Sequence, residues 1–144
     1  MKLDDIMDLW SIHCKIDKFA LVDEVLRINE LHYKYYKIYL FERRMLNDLR
    51  KQLKLKSHAL RDTYSNPTQM DWANKKDRIP NRTILKTDLP GYVETDPEYL
   101  ELSDKIQIQE LKIDTLESIV SSINQRSFQI NTAVKYIEWK GTND

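Results

Sequence analysis

A seam of mostly apolar positions runs through the C-terminal third: Tyr99, Leu102, Ile106, Gln109, Ile113, Leu116, Val120, Ile123, Ser127, Ile130, Val134 and Ile137. Steps of three and four alternate without a break, the heptad pattern of a packed helix, which predicts one long helix over 96–140. Asp96 is placed to cap the first orphan amides, Pro97 suits the first helical position, and Glu98 suits the positive end of the helix dipole. Lys140 and Gly141 give the other end a cation and a residue able to leave the helix. At about 1.5 Å per residue this helix is roughly 65 Å long, against a radius of gyration of about 15 Å for a compact globule of this chain length. It therefore packs against copies of itself or against a second long helix.

Isoleucine at both sets of seam positions disfavours a simple parallel dimer and shifts preference to higher order. Ile106, Ile113, Leu116, Val120, Ile123, Ile130, Val134 and Ile137 are thus candidate oligomer-interface residues. Gln109 and Ser127 would fix register at some cost in stability. An antiparallel hairpin within one chain would use the same seam, and the two arrangements can coexist.

The second long helix is expected over 18–64, where Leu21, Val25, Ile28, Leu31, Tyr35, Ile38, Met45 and Leu49 keep helical spacing. Leu46, Leu53 and Leu60 continue its apolar stripe, and Ser65-Asn66-Pro67 ends it. Residues 1–17 carry Ile6, Leu9, Trp10 and Ile12 among charges and read as a short helix or arm. The stretch 65–95 links the two long helices. Within it Arg82–Lys86 and Tyr92–Thr95, separated by the turn residues Leu89-Pro90-Gly91, are expected to form a small β-hairpin. The chain reads as one mainly α-helical domain over 1–144.

Composition narrows the chemistry. The chain has 144 residues, with 23 Lys and Arg against 23 Asp and Glu, so bulk charge selects no partner and its distribution must decide. Only 2 Gly and 4 Pro fit long helices. Cys14 is the single cysteine, which excludes an internal disulfide and fits a reducing compartment. No apolar run approaches the roughly 18 residues of a membrane span, and the first residues carry no apolar signal segment.

The strongest bias lies between Arg43 and Arg61, where Arg43, Arg44, Arg50, Lys51, Lys54, Lys56 and Arg61 face one acid, Asp48. At about 100° per residue, Arg43, Arg50, Lys54 and Arg61 fall within roughly 40° of one line, away from the leucine stripe. Such a stripe is either a solvated helix face or a surface that tracks phosphates. Lys75 and Lys76 add cations in the linker, near Trp72. His32, Tyr33, Tyr35, Tyr36, Tyr39 and Phe41 cover more than one face of their helix, so some of these rings are exposed or lie in an interface. They either pack helices or stack bases, and the same choice applies to Trp10, Trp72 and Tyr64.

Catalytic signatures are missing. His13, His32 and His58 stand far apart, with no second His or Cys at ligand spacing, so no metal or cofactor is expected. Adjacent His13 and Cys14 point about 100° apart on a helix and do not form a nucleophile–base pair. Two glycines cannot build a phosphate loop. The chain is not expected to be an enzyme.

Several segments, in order, resemble the UvsY family of recombination mediators from T4-like and cyanobacterial phages. They are Leu31-His32-Tyr33-Lys34-Tyr35, Asp62-Thr63-Tyr64-Ser65-Asn66, Ile84-Leu85-Lys86-Thr87-Asp88, Ser122-Ile123-Asn124-Gln125-Arg126-Ser127-Phe128-Gln129-Ile130, and Ala133-Val134-Lys135 through to Trp139. The Ser-Ile-Asn-x-Arg-x-Phe-Gln-Ile run is the most specific of them. The resemblance implies a non-enzymatic homo-oligomeric ring or barrel of about six or seven subunits, held partly by the C-terminal helix. It implies binding to single-stranded DNA, contact with a RecA-like recombinase and a single-strand-binding protein, and loading of the former onto DNA covered by the latter. It places the protein in the cytoplasm of the infected bacterial host. The family's basic helix ends in a motif like Lys-x-Arg-x-x-Tyr-Tyr-Ser-Gly, where this chain reads His58, Ala59, Leu60, Arg61, Asp62, Thr63, Tyr64, Ser65 and Asn66. His58 and Leu60 thus replace the two family cations, and Lys54, Lys56 and Arg61 are close enough to supply the charge. The expected nucleic-acid-binding residues are Arg43, Arg50, Lys51, Lys54, Lys56, His58, Arg61, Tyr64, Lys75 and Lys76. The rival expectation is a structural coiled-coil adaptor without nucleic-acid binding.

Overall fold

Two of the expected segments fold with a break inside them. The computed structural model describes residues 1–65 and 84–143. Among these, the helices are α1 (Leu3–His13), α2 (Leu21–Leu26), α3 (Ile28–Ser65), α4 (Leu89–Glu94), α5 (Pro97–Asn124) and α6 (Arg126–Asn143). The expected helix over 18–64 becomes α2 and α3, parted at Arg27, whose amide still bonds to the Asp23 carbonyl at 3.0 Å. The expected helix over 96–140 becomes α5 and α6, parted at Gln125. Gly141 does not end α6: it takes no positive φ, and the helix runs on to Asn143. Lys75, Lys76 and Trp72 lie outside the described residues, as does Arg82-Thr83 at the start of the expected hairpin.

The chain divides into two compact units: Met1–Arg43 with Leu111–Asp144, and Arg44–Glu110. In the first unit, Ile6, Leu31, Tyr35, Leu116, Ile119 and Ile123 form a buried cluster, with Leu9, Trp10, Ile28, Ile38, Tyr39 and Val120 packed around it. Full burial of each aliphatic side chain is worth about 1.5–3 kcal/mol. The buried stripe of α5 includes Ile119 and leaves Val120 partly exposed. A strict heptad seam reads Val120 alone, whereas a helix in a globular fold buries a wider face at 3.6 residues per turn. Trp10 meets Tyr35 edge to face at 5.5 Å, which places it in packing.

The first unit also encloses a charged joint. Arg126, only 3% exposed, begins α6. Its Nη2 donates to the His13 carbonyl at the end of α1 at 2.7 Å, and its Nη1 lies 3.7 Å from Glu24 of α2. Its guanidinium sits 5.8 Å from the Trp10 ring centre. The break at Gln125 coincides with this attachment to α1 and α2.

In the second unit, Leu60 and Tyr64 of α3 pack with Val93 of α4, surrounded by Ile84, Leu89, Tyr92 and Tyr99. The expected returning strand at Tyr92–Thr95 is therefore corrected: Tyr92, Val93 and Glu94 are helical, and no strand occurs among the described residues. Pro90 fits the first turn of a helix, and Leu89, Tyr92 and Val93 then share the face that packs on α3. Packing overrides the strand propensity of Tyr and Val. Asp96 caps α5, its Oδ1 accepting from the Glu98 amide at 2.9 Å and its Oδ2 from the Tyr64 hydroxyl at 2.7 Å. Helices α3 and α5 run antiparallel here, since Lys56 pairs with Glu98 while Arg50 pairs with Glu110.

Candidate nucleic-acid interface

The leucine stripe turns the opposite flank of α3 outward. In the second unit Leu46 and Leu60 are buried while Arg50, Lys51, Lys54, His58 and Arg61 are exposed and Lys56 partly so. Arg43, exposed too, belongs to the first unit and pairs with Glu117 at 3.6 Å. Arg50 pairs with Glu110 at 3.1 Å, Lys56 with Glu98 at 3.9 Å, and His58 with Asp62 at 3.7 Å. Lys51, Lys54 and Arg61 form no ion pair with another described residue. Solvated ion pairs are worth only about 0–1 kcal/mol, so Arg50 and Lys56 are readily drawn to a stronger anion.

Lys54, His58 and Arg61 line one open groove of about 370 Å³ together with Leu53, Ser57 and Tyr99. Its chemistry is mixed. Two unpaired cations offer charge-assisted hydrogen bonds to phosphate oxygens, and the Tyr99 ring offers a face to a planar ligand. Sequence reasoning placed Tyr99 in the seam and missed it here. The available signal was its chemistry: an amphipathic aromatic among aliphatic seam residues places an apolar body inward and a polar tip outward.

Tyr64, expected with the cations, is set apart from them. It is buried, and its hydroxyl is committed to Asp96, so it organises the start of α5. Lys75 and Lys76 lie outside the described residues.

The expected oligomer-interface residues separate by burial. Ile106, Ile113, Leu116, Ile123 and Ile130 are buried within the single chain, Val120 and Val134 are partly exposed, and Ile137 is 54% exposed. Ile137 shares α6 with three other exposed large side chains, Phe128, Tyr136 and Trp139. No described helix is long and apolar enough to cross a membrane.

Comparison with known proteins follows the same lines. Residues 9–142 match the family model described as "Recombination, repair and ssDNA binding protein UvsY". Two crystal structures of the bacteriophage T4 recombination mediator protein UvsY share the fold. The lattice type II form superimposes with a TM-score of 0.84 at 18% identity, covering 98% of each chain. The lattice type IV form gives 0.81 at 16% identity, covering 97% of this chain and 99% of the other. No curated protein sequence matches the chain. With the family pattern spanning nearly the whole sequence, the chain belongs to the UvsY family of recombination and repair proteins.

Proposed function

We propose that this protein binds single-stranded DNA as a homo-oligomeric recombination mediator and promotes loading of a RecA-like phage recombinase onto DNA covered by single-strand-binding protein. The groove lined by Lys54, Arg61 and Tyr99 carries this reading, because it joins unpaired cations to an aromatic face. Family membership and the T4 fold support it. Phosphate capture releases counterions, so affinity falls with salt and ignores base sequence. Repetition around an oligomer of about six or seven subunits multiplies a modest groove into a multivalent rim, which raises effective concentration for a strand passing between copies. The work is done by binding and shape in the cytoplasm of the infected host, without catalysis. Assembly through the exposed side chains of α6 and the partly exposed Val134 completes the proposal.

Fluorescence anisotropy of a labelled oligonucleotide tests it. Tight binding at low salt should weaken steeply as salt rises, and replacing Arg50, Lys54 and Arg61 together with alanine should flatten the slope of log K against log salt by about 2. An unchanged slope in a folded triple variant rejects the groove as the phosphate site. The exposed apolar side chains of α6 also suit a coiled-coil adaptor without nucleic-acid binding. Absence of binding at low salt selects that second reading.

A further inference from the structure

The first unit holds another open groove, of about 330 Å³, lined by Tyr36, Tyr39, Glu117, Val120, Ser121 and Asn124. We propose that it accepts a nucleobase of the bound single strand, stacked on a ladder of aromatic rings along α3. The inference rests on the single-strand-binding reading above and deepens it, from capture of phosphates to capture of bases.

The ladder is built by helical spacing. His32 stacks on Tyr36 at 5.5 Å with planes 17° apart, and Tyr36 on Tyr39 at 5.7 Å with planes 22° apart. The Arg43 guanidinium continues the series 5.9 Å from the Tyr39 ring centre. Positions 32, 36, 39 and 43 recur by fours and threes, so they share one helix face. Rings that serve only the core are buried, as Tyr35 is at 0% exposure, whereas Tyr36 is 43% exposed. The exposed part of Tyr36, beside Tyr39, gives the open groove an aromatic wall, which suits a planar ligand.

The rim supplies the polar half of base recognition. Ser121 and Asn124 stand at the groove with side chains that bond to no other described residue, as does the Tyr36 hydroxyl. An amide pairs a donor with an acceptor, matching the edge of a base. Glu117, the one acid in the lining, accepts from the Tyr39 hydroxyl at 3.0 Å and pairs with Arg43 at 3.6 Å, which limits repulsion of a phosphate. Lys34, Lys37 and Arg43 are exposed on this stretch of α3 against Glu30, so its charge favours an anionic polymer. A socket for an apolar peptide side chain would be lined by aliphatic groups, and here Val120 is the only one.

The test compares a homopolymeric oligonucleotide with an abasic one of equal length, bound by the full chain. The unaltered protein should prefer the base-bearing strand. Tyr36→Leu should weaken that strand between about fivefold and a hundredfold while leaving the abasic strand and the salt slope unchanged. Tyr36→Phe keeps the ring and should keep the preference. Equal affinity of the unaltered protein for the two strands overturns the base site without recourse to any variant. So does an equal loss on both strands in folded Tyr36→Leu, or a groove that responds to protein ligands and not to oligonucleotide. Failure of the unaltered protein to bind either strand at low salt overturns the single-strand reading itself, and the base site with it.

Discussion

His13 and Tyr35 show how one partly buried contact sets a pH range. The His13 Nδ1 and the Tyr35 hydroxyl are 2.8 Å apart, a distance suited to a neutral imidazole accepting from a protonated phenol. Burial first, and then Cys14, push the Tyr35 phenol up to about 12 against the opposing charge of Arg126. The His13 pKa is lowered from 6.5, first by burial and then by the cations Lys34, Arg27 and Arg126. The two signs differ in consequence. For Tyr35 the folded state holds its proton more tightly, so stability present below about pH 10 is lost as pH rises toward 12. For His13 the unfolded state binds the proton more tightly, so stability present above 6.5 is lost as pH falls below it. Urea midpoints should therefore drop on both sides of neutrality, with Tyr35→Phe flattening the alkaline limb and His13→Gln reducing the acid one. Tyr64 belongs to the same scale. Tyr64→Phe should destabilise the chain by about 1–3 kcal/mol, because the buried Asp96 carboxylate loses a donor, and chemical denaturation measures the loss.

At the scale of elements, the charged joint at Arg126 ties the start of α6 to α1 and α2. Arg126→Met would leave Glu24 buried with only Arg27, at 3.8 Å, as a cation. That change should cost about 3 kcal/mol, read as a lower urea midpoint, with a smaller loss for Arg126→Lys. The specific sequence run Ser122–Ile130 has its explanation in this region. Ile123 and Ile130 are core residues, Arg126 is the joint, and Phe128, 74% exposed, faces outward. A similar division holds for α4, where Pro90 starts a helical turn and Val93 anchors it on Leu60 and Tyr64. Val93→Ala should destabilise the second unit by about 1–3 kcal/mol by opening a cavity, while exposed Gly91 should accept alanine, which meets nothing within 4 Å.

For the whole molecule, assembly and folding draw on different residues of the same seam. Ile123→Asp buries an unpaired charge in the core of a single chain and should abolish folding, seen as loss of helical circular dichroism. Phe128→Ser with Ile137→Ser should lower the mass found by sedimentation while leaving the helical signal intact, since both side chains are exposed in the single chain. An unchanged mass would move the proposed subunit contact away from α6. Interface surfaces of this kind need apolar side chains left exposed by the subunit, and on α6 Phe128 and Ile137 are such side chains.

Periodicity alone determined much of this protein. The local rules behind it are short-ranged: apolar residues every three or four positions make an amphipathic helix, and Asp96 before Pro97 makes a start. The same counting set the cations of α3 apart from its leucines, and the ordered segments pointed to the family. Tertiary structure decided where long helices break, because Arg126 finds Glu24 and the His13 carbonyl only when distant parts of the chain meet. It decided that Tyr92–Glu94 is helical, since burial against Leu60 and Tyr64 outweighs local strand propensity. It also sorted the aromatic residues. Tyr35 and Tyr64 went inside, Tyr36 and Tyr99 came to open grooves, and no spacing rule distinguishes them, because exposure depends on what covers a helix face.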